Sequence, residues 1–343
     1  MALFLGLLIF AFVATSILIV PFINLLYKLR FLRRQQVTRD FLGLRTKIFD
    51  RFHKHKAGTP VGGGLLIILT VVFLYAALFP LIVLLGVHVT AVYSIKEELN
   101  VLFFSFIFFG LLGLYDDLKK FFGFKQSGFF GLRLRHKLLI QWALAFTIAL
   151  LLYQNLGIDF VNIPFWGVVK LGAWYIPFAA FVIVAFANAF NITDGLDGLS
   201  CGLLMICLFA FWVLSASILD TTLSIFLSLW LGSLIAFLYF NIYPARIWLG
   251  DVGALAFGAT LAVVGLLLGK IMALLVIGAP FIIEAASSLI QILSKKFLKR
   301  RVFKVAPLHL WLQNRGWEEP KIVMRAWLAG LMFAILGLWL AVI

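Results

Sequence analysis

The chain has 343 residues, of which 64% are hydrophobic and 13% charged, whereas ordinary soluble domains are about 45–50% apolar and about 25% charged. So much apolar surface excludes a water-soluble globular fold, and the formal net charge of +15 reads as basic loops facing anionic lipid and not as a nucleic-acid interface. Cys201 and Cys207 share one apolar run without metal-ligand spacing, so neither a disulfide nor a thiolate site is predicted.

Ten apolar stretches are long enough to cross about 30 Å of hydrocarbon as helices. They start near residues 2, 62, 99, 138, 172, 200, 222, 252, 271 and 322. The first, from Met1 to Tyr27, has neither a basic leader nor a small-residue cleavage site, and is expected to stay as a membrane helix. The predicted fold class is all-α: a polytopic integral membrane protein of about ten transmembrane helices, one domain over residues 1–343, without internal repeats. Residues 28–60, 115–137 and 295–321 hold 10, 6 and 8 of the 29 lysines and arginines, and Arg246 adds one more on the same side. The opposite loops hold only Lys96, Lys170 and Lys270. This bias predicts that the loops after odd-numbered spans face the cytoplasm and that both termini lie outside.

The acids that draw attention lie on the same side. Asp116, Asp117, Asp194, Asp197 and Asp251 fall at the ends of different spans or in the short loops there. Carboxylates near a bilayer are costly unless they meet a cation or line a wet cavity. One interfacial aspartate is unremarkable; five in Gly- and Asn-rich settings point to a cytoplasmic active-site cleft. Asp116-Asp117, in GLLGLYDDLKK, forms a repelling pair that a metal or a lysine must offset. In NAFNITDGLDG, Asn188, Asn191 and Asp194 recur every three residues and share a helix face, while Gly195 and Gly198 allow a turn. The same composition also suits a plain interhelical turn. Asp251 follows Gly250 at the start of a span, with Asn241 shortly before it. Oxygen donors without a Cys or His cluster suit a hard ion, magnesium or manganese, and magnesium in turn points to phosphate.

At these residues the chain resembles the polyprenyl-phosphate N-acetylhexosamine-1-phosphate transferase superfamily, most nearly its peptidoglycan branch. The likeness runs through KAGTPVGGG at 56–64, the aspartate pair, RHKLLIQ at 135–141, NAFNITDGLDG, PARIWLGDVGALAFG at 244–258 and APLHLWLQNRGWEEPKIVMRAW at 306–327. It implies undecaprenyl phosphate as acceptor, a UDP-linked sugar as donor, Mg2+ dependence, UMP release and often a homodimer. Carried over by position, Asp251 is a metal ligand and Asp116 and Asp117 are catalytic near the phosphates. Asn188, Asn191, Asp194 and Asp197 line the nucleotide and metal site, with Asp194 as a second metal ligand and Asn241 nearby. Lys56 and Lys137 match phosphate-facing positions, with Lys54 a close competitor to the former. His309 matches the first position of a three-histidine run, but Leu310 and Trp311 follow it, so donor contacts made by that run do not transfer. Two alternatives stay open: a GlcNAc-1-phosphate transferase for another surface polymer, and a transporter of anionic solutes, which would hold its polar groups near the midplane. Glu284, inside the ninth span, reads equally as flanking a lipid groove or as a buried acid bonded to a neighbour. His53, His55 and His88 read as loop residues.

Overall fold

The computed structural model describes residues 1–33, 56–122, 132 and 134–343; Lys54, His53 and His55 lie outside the described residues. The helices are α1 (Ala2–Lys28), α2 (Gly63–Leu84), α3 (Ile95–Phe122), α4 (Leu134–Gln154), α5 (Tyr175–Thr193), α6 (Leu199–Ser217), α7 (Thr221–Asn241), α8 (Gly250–Leu267), α9 (Ile271–Ile277), α10 (Ala279–Phe297), α11 (Leu308–Asn314) and α12 (Glu319–Val342). An antiparallel hairpin, β1 (Phe160–Ile163) and β2 (Gly167–Lys170), links α4 to α5. Among the described residues nine helices are long and apolar enough to cross a membrane, and the pair α9 and α10, bent by 72°, brings the number to ten when counted as one span. The chain is thus an all-α multi-pass membrane protein. The ninth expected span is broken, because Pro280 lacks an amide for the helical ladder and Gly278 packs so close that a Cβ would stand 2.5 Å from the Phe186 ring.

The middle of the molecule is α8. Every one of its residues is buried except Asp251. Lipid offers apolar helices little reason to associate, so close backbone approach through small residues must hold them together. At Gly113 on α3, an added Cβ would lie 2.1 Å from the Asp251 carbonyl oxygen. A Cβ at Gly64 on α2 would meet Gly253 Cα of α8 at 2.3 Å. Those two contacts bring α2 and α3 directly onto the start of α8. Farther along, Phe106 packs at centroid distances of 5.1 Å to Trp230, 5.4 Å to Phe226 and 5.6 Å to Phe257, tying α3, α7 and α8 in an aromatic core.

Helix α3 carries acids at both ends: Glu98 in its first turn, Asp116 and Asp117 near its last. Eighteen residues of helix separate Glu98 from Asp116, about 27 Å of rise. The two ends treat their carboxylates differently.

Candidate active site

Asp117 sits on α3 against the first turn of α8, where Asp251 stands. Its Oδ2 accepts the Val252 N–H at 3.1 Å, one of the amides that a helix start leaves without an internal partner. Gly250 makes the junction possible, since its φ is +80° and a Cβ there would lie 2.7 Å from that same oxygen. Asp116 accepts the Leu132 N–H through Oδ1 at 2.6 Å, which leaves Oδ2 facing the cluster.

Two lysines close the group. Lys137 of α4 donates to Asp251 Oδ2 at 2.5 Å and to Asp116 Oδ2 at 3.0 Å. Lys120, one turn beyond the aspartate pair, lies 2.8 Å from Asp251 Oδ2, 3.2 Å from Asp116 Oδ2 and 3.5 Å from Asp117 Oδ1. Three carboxylates crowded out of water would repel one another, and the two ammonium groups offset all but one charge. The Asp116 and Asp117 side chains are 3% and 2% exposed, against 16% for Asp251. Asp251 is therefore the carboxylate the cluster presents outward.

The loop from Asp194 to Gly198 forms an adjoining wall. Asp194 caps the C-terminus of α5 and accepts the Ser200 hydroxyl at 2.6 Å. Burial pushes its carboxyl up to about 6; the Ser200 bond opposes that rise and the charge of Asp251 adds to it. Asp194 and Asp251 thus feel one another, although the bond Asp194 makes is to Ser200. His309 is buried against this loop: a Cβ at Gly195 would stand 2.4 Å from its Nε2. Its Nδ1 lies 3.0 Å from Glu284 Oε2, and its backbone N–H also points to that carboxylate. Glu284 is thus the partner of His309, the second of the two readings its sequence position allowed. Beside this wall an apolar hollow of about 270 Å³ opens between α10 and α11, lined by Ile283, Ile290, Phe303, Leu308 and Trp311.

Lys56 and Asp197 sit deeper. Lys56 Nζ is 2.8 Å from Asp197 Oδ1 and 2.5 Å from Glu319 Oε1. Asp197 Oδ2 accepts the Ala245 N–H at 2.9 Å, and Glu319 Oε1 accepts the Asp197 N–H at 2.6 Å. Trp248, whose carbonyl takes the Gly62 and Gly63 amides, lies beneath Lys56 and Arg33 at 4.8 and 4.3 Å from its ring centroid. This buried triad pins the segment before α2, the loop after α5, the loop before α8 and the start of α12. Asn188 donates to Gln141 Oε1 and to the Val184 carbonyl, each at 2.8 Å. Asn191 is half-buried one turn on. Asn241 donates to the Ile247 carbonyl at 2.9 Å, while its own Oδ1 is buried with no hydrogen-bond partner among the described residues.

Among the described residues no three carboxylate, imidazole or thiol groups converge to encage an ion. Magnesium, however, is ordinarily held by one or two carboxylates plus water and substrate phosphates. The outward face of Asp251, backed by two lysines suited to phosphate charge, fits that mode. Lys120 went unassigned in the sequence, although its place four residues after Asp116 puts it on the same helix face. Glu319 is the other addition; 263 residues separate it from Lys56, and no local pattern links them.

Residues 99–269 match the family model described as glycosyl transferase family 4. The chain is 36% identical over 311 residues to a phospho-N-acetylmuramoyl-pentapeptide-transferase of Caldanaerobacter subterraneus subsp. tengcongensis, covering 91% of this chain and 90% of the relative. It is 39% identical over 304 residues to the protein of the same name from Chloroflexus aurantiacus, covering 85% and 79%. With the protein of that name from Clostridium perfringens strain 13 it shares 33% identity over 314 residues, covering 91% and 90%.

Proposed function

The chain belongs to glycosyl transferase family 4, among the phospho-N-acetylmuramoyl-pentapeptide-transferases, and from that premise we propose that it moves phospho-N-acetylmuramoyl-pentapeptide from its UDP carrier to undecaprenyl phosphate, releasing UMP and forming the first lipid-linked intermediate of peptidoglycan. The observation that carries the reading is the gathering of Asp116, Asp117 and Asp251 from two spans around Lys120 and Lys137. Phosphoryl transfer needs charge neutralised on the transferring group and the nucleophile in line, more than covalent chemistry from the protein.

Asp251 would hold the divalent ion, with Asp194 as the second candidate ligand; such an ion would supply positive charge for the donor diphosphate and the UMP leaving group. Lys120 and Lys137 orient and screen phosphate oxygens at the outward edge of the cluster. The acceptor phosphate is already an anion near neutral pH, so Asp116 and Asp117 serve mainly to align it and to set the lysines, one of them taking a proton where the acceptor brings one. Asn188, Asn191 and Asn241 line the nucleotide side of the site, and half-buried Asn191 is the one placed to offer its amide directly. Lys56 and Asp197, committed to each other and to Glu319, fix the wall on which Asp194 and His309 stand. The polyprenyl tail lies in the bilayer, and the apolar hollow beside α10 has matching chemistry.

The charge bias of the loops supports an active site on the cytoplasmic side with both termini outside; the family membership supports a bacterial inner membrane, and one catalytic unit over residues 1–343, often a homodimer, is what the resemblance implies. Reconstituted protein given Mg2+, undecaprenyl phosphate and radiolabelled UDP-MurNAc-pentapeptide or UDP-GlcNAc tests the reading. Labelled lipid and UMP from the first donor are expected. Label transferred only from UDP-GlcNAc would move the chain to another branch of the superfamily, and transfer from neither would end the proposal.

A further inference from the structure

The hairpin between α4 and α5 breaks a local rule with no return inside the molecule. Its turn is closed by the Trp166 N–H on the Ile163 carbonyl at 3.1 Å, with Pro164 second and Phe165 third. Phe165 has φ +68°, the left-handed conformation that such a turn normally reserves for glycine or asparagine. A bulky aromatic there is strained, yet its ring contributes nothing to the core, being 74% exposed. Trp166 is 85% exposed and Val168 61%. All four residues of β2 are exposed, and Lys170 ends the strand. In water this would be a sticky, nearly uncharged edge of the kind folded proteins avoid.

Its position says what covers it. Trp174, 78% exposed, caps the first turn of α5 at the very start of that span, so it stands where hydrocarbon ends. Helix α5 then runs to Asp194, which puts the hairpin at the membrane face opposite the acidic centre. The exposed aromatics continue into the lipid-facing side of the same span at Phe181, 60% exposed. On the other flank Val161 of β1 is buried against the protein, which holds the hairpin near the membrane end of the bundle.

We propose that the Phe165–Trp166 tip, Val168 and Trp174 dock on the lipid headgroup layer of the leaflet opposite the acidic centre, as an aromatic anchor for that end of α5. Depth follows from the backbone. The outer edge of β2 has no strand partner in this two-stranded sheet, and unpaired amides and carbonyls are not tolerated in hydrocarbon. The headgroup layer satisfies those groups, is the zone in which tryptophan is enriched, and supplies phosphates for Lys170.

The test uses full-length protein in liposomes with Cys201→Ala and Cys207→Ala, a nitroxide attached through Trp166→Cys, and collision with oxygen against a water-soluble nickel chelate. Depth is calibrated with spin-labelled lipids, and Phe181→Cys marks the hydrocarbon. A position-166 label at headgroup depth is expected. A label as open to the chelate as one free in water, or as deep as position 181, would overturn the proposal. Tryptophan quenching by brominated lipids, measured on the unlabelled protein and on Trp166→Phe, gives a second reading free of the label. The variant is expected to lose a lipid-quenchable component, and identical quenching would refute the anchor.

Discussion

Helix α3 ends in carboxylates at both membrane faces, and the two ends handle them in opposite ways. At one, Asp116 and Asp117 join Asp251 and are met by Lys120 and Lys137. At the other, Glu98 is fully buried and faces Asp220, and among the described residues no lysine or arginine pairs with either. Asp220 is used structurally, its Oδ1 accepting the Leu223 N–H at 3.1 Å as the N-cap of α7. Burial pushes its carboxyl above the ordinary range, while the Leu223 and Val92 amides pull it back. At one membrane face the carboxylates are met by cations; at the other, among the described residues, none is supplied. The first arrangement suits a site that must meet anionic phosphate, the second a structural joint.

The largest expected effect is at the charged end. Asp251→Asn should lower turnover by about 10²–10³-fold, the scale on which removal of one electrostatic group acts, whereas Asp220→Asn should leave turnover near that of the parent. Steady-state assays on both variants check the contrast, and Mg2+-dependent turnover at the normal rate in Asp251→Asn would remove its assignment. Next comes stability. Lys137→Met leaves three carboxylates to Lys120 alone; stranding a buried charge outright costs about 3–5 kcal/mol, so melting in detergent should shift down by a part of that. Adding Asp251→Asn to that variant should recover part of the loss, as the coupling of a double-mutant cycle.

The Lys56 triad gives a graded version. Lys56→Met leaves Asp197 and Glu319 without their bonded cation and with only the more distant charge of Arg33, while Glu319→Gln leaves Lys56 paired with Asp197. The first should melt distinctly lower than the second, and equal melting temperatures would mean that the triad is not held together by charge.

The smallest effect is at the end without cations and appears in pH dependence. A carboxyl raised by burial binds its proton more tightly folded than unfolded. Folding therefore takes up a proton between the ordinary aspartate range and the raised value, and stability falls as pH climbs through that window. Asparagine is an equally good N-cap, so Asp220→Asn should match the parent below the window, melt slightly higher above it and flatten the decline between. Glu98, Tyr75 and Tyr93 face the same spot.

The spans were legible because a bilayer demands long apolar runs, and each expected start lies within a few residues of a helix. The grouping of Asp116, Asp117 and Asp251 was legible because charge is scarce in such a chain, 13% of residues, and stands out. The 72° bend at Gly278 was not, since an apolar run reads the same straight or broken. Neither was the commitment of Lys56 to Asp197 and Glu319, 141 and 263 residues away, nor the meeting of Glu98 with Asp220. Such long-range pairings are decided by which helices touch, and that depends on glycine contacts such as Gly113 against Asp251, whose partners no local spacing reveals.

The central claim is that the cation-backed carboxylates hold a divalent ion against a nucleotide diphosphate. Mn2+ electron paramagnetic resonance on the reconstituted protein with UDP-MurNAc-pentapeptide, compared among the parent, Asp251→Asn and Asp220→Asn, addresses it directly. A bound-ion signal that persists in Asp220→Asn and disappears in Asp251→Asn is the predicted result; the same bound signal in Asp251→Asn would contradict the account.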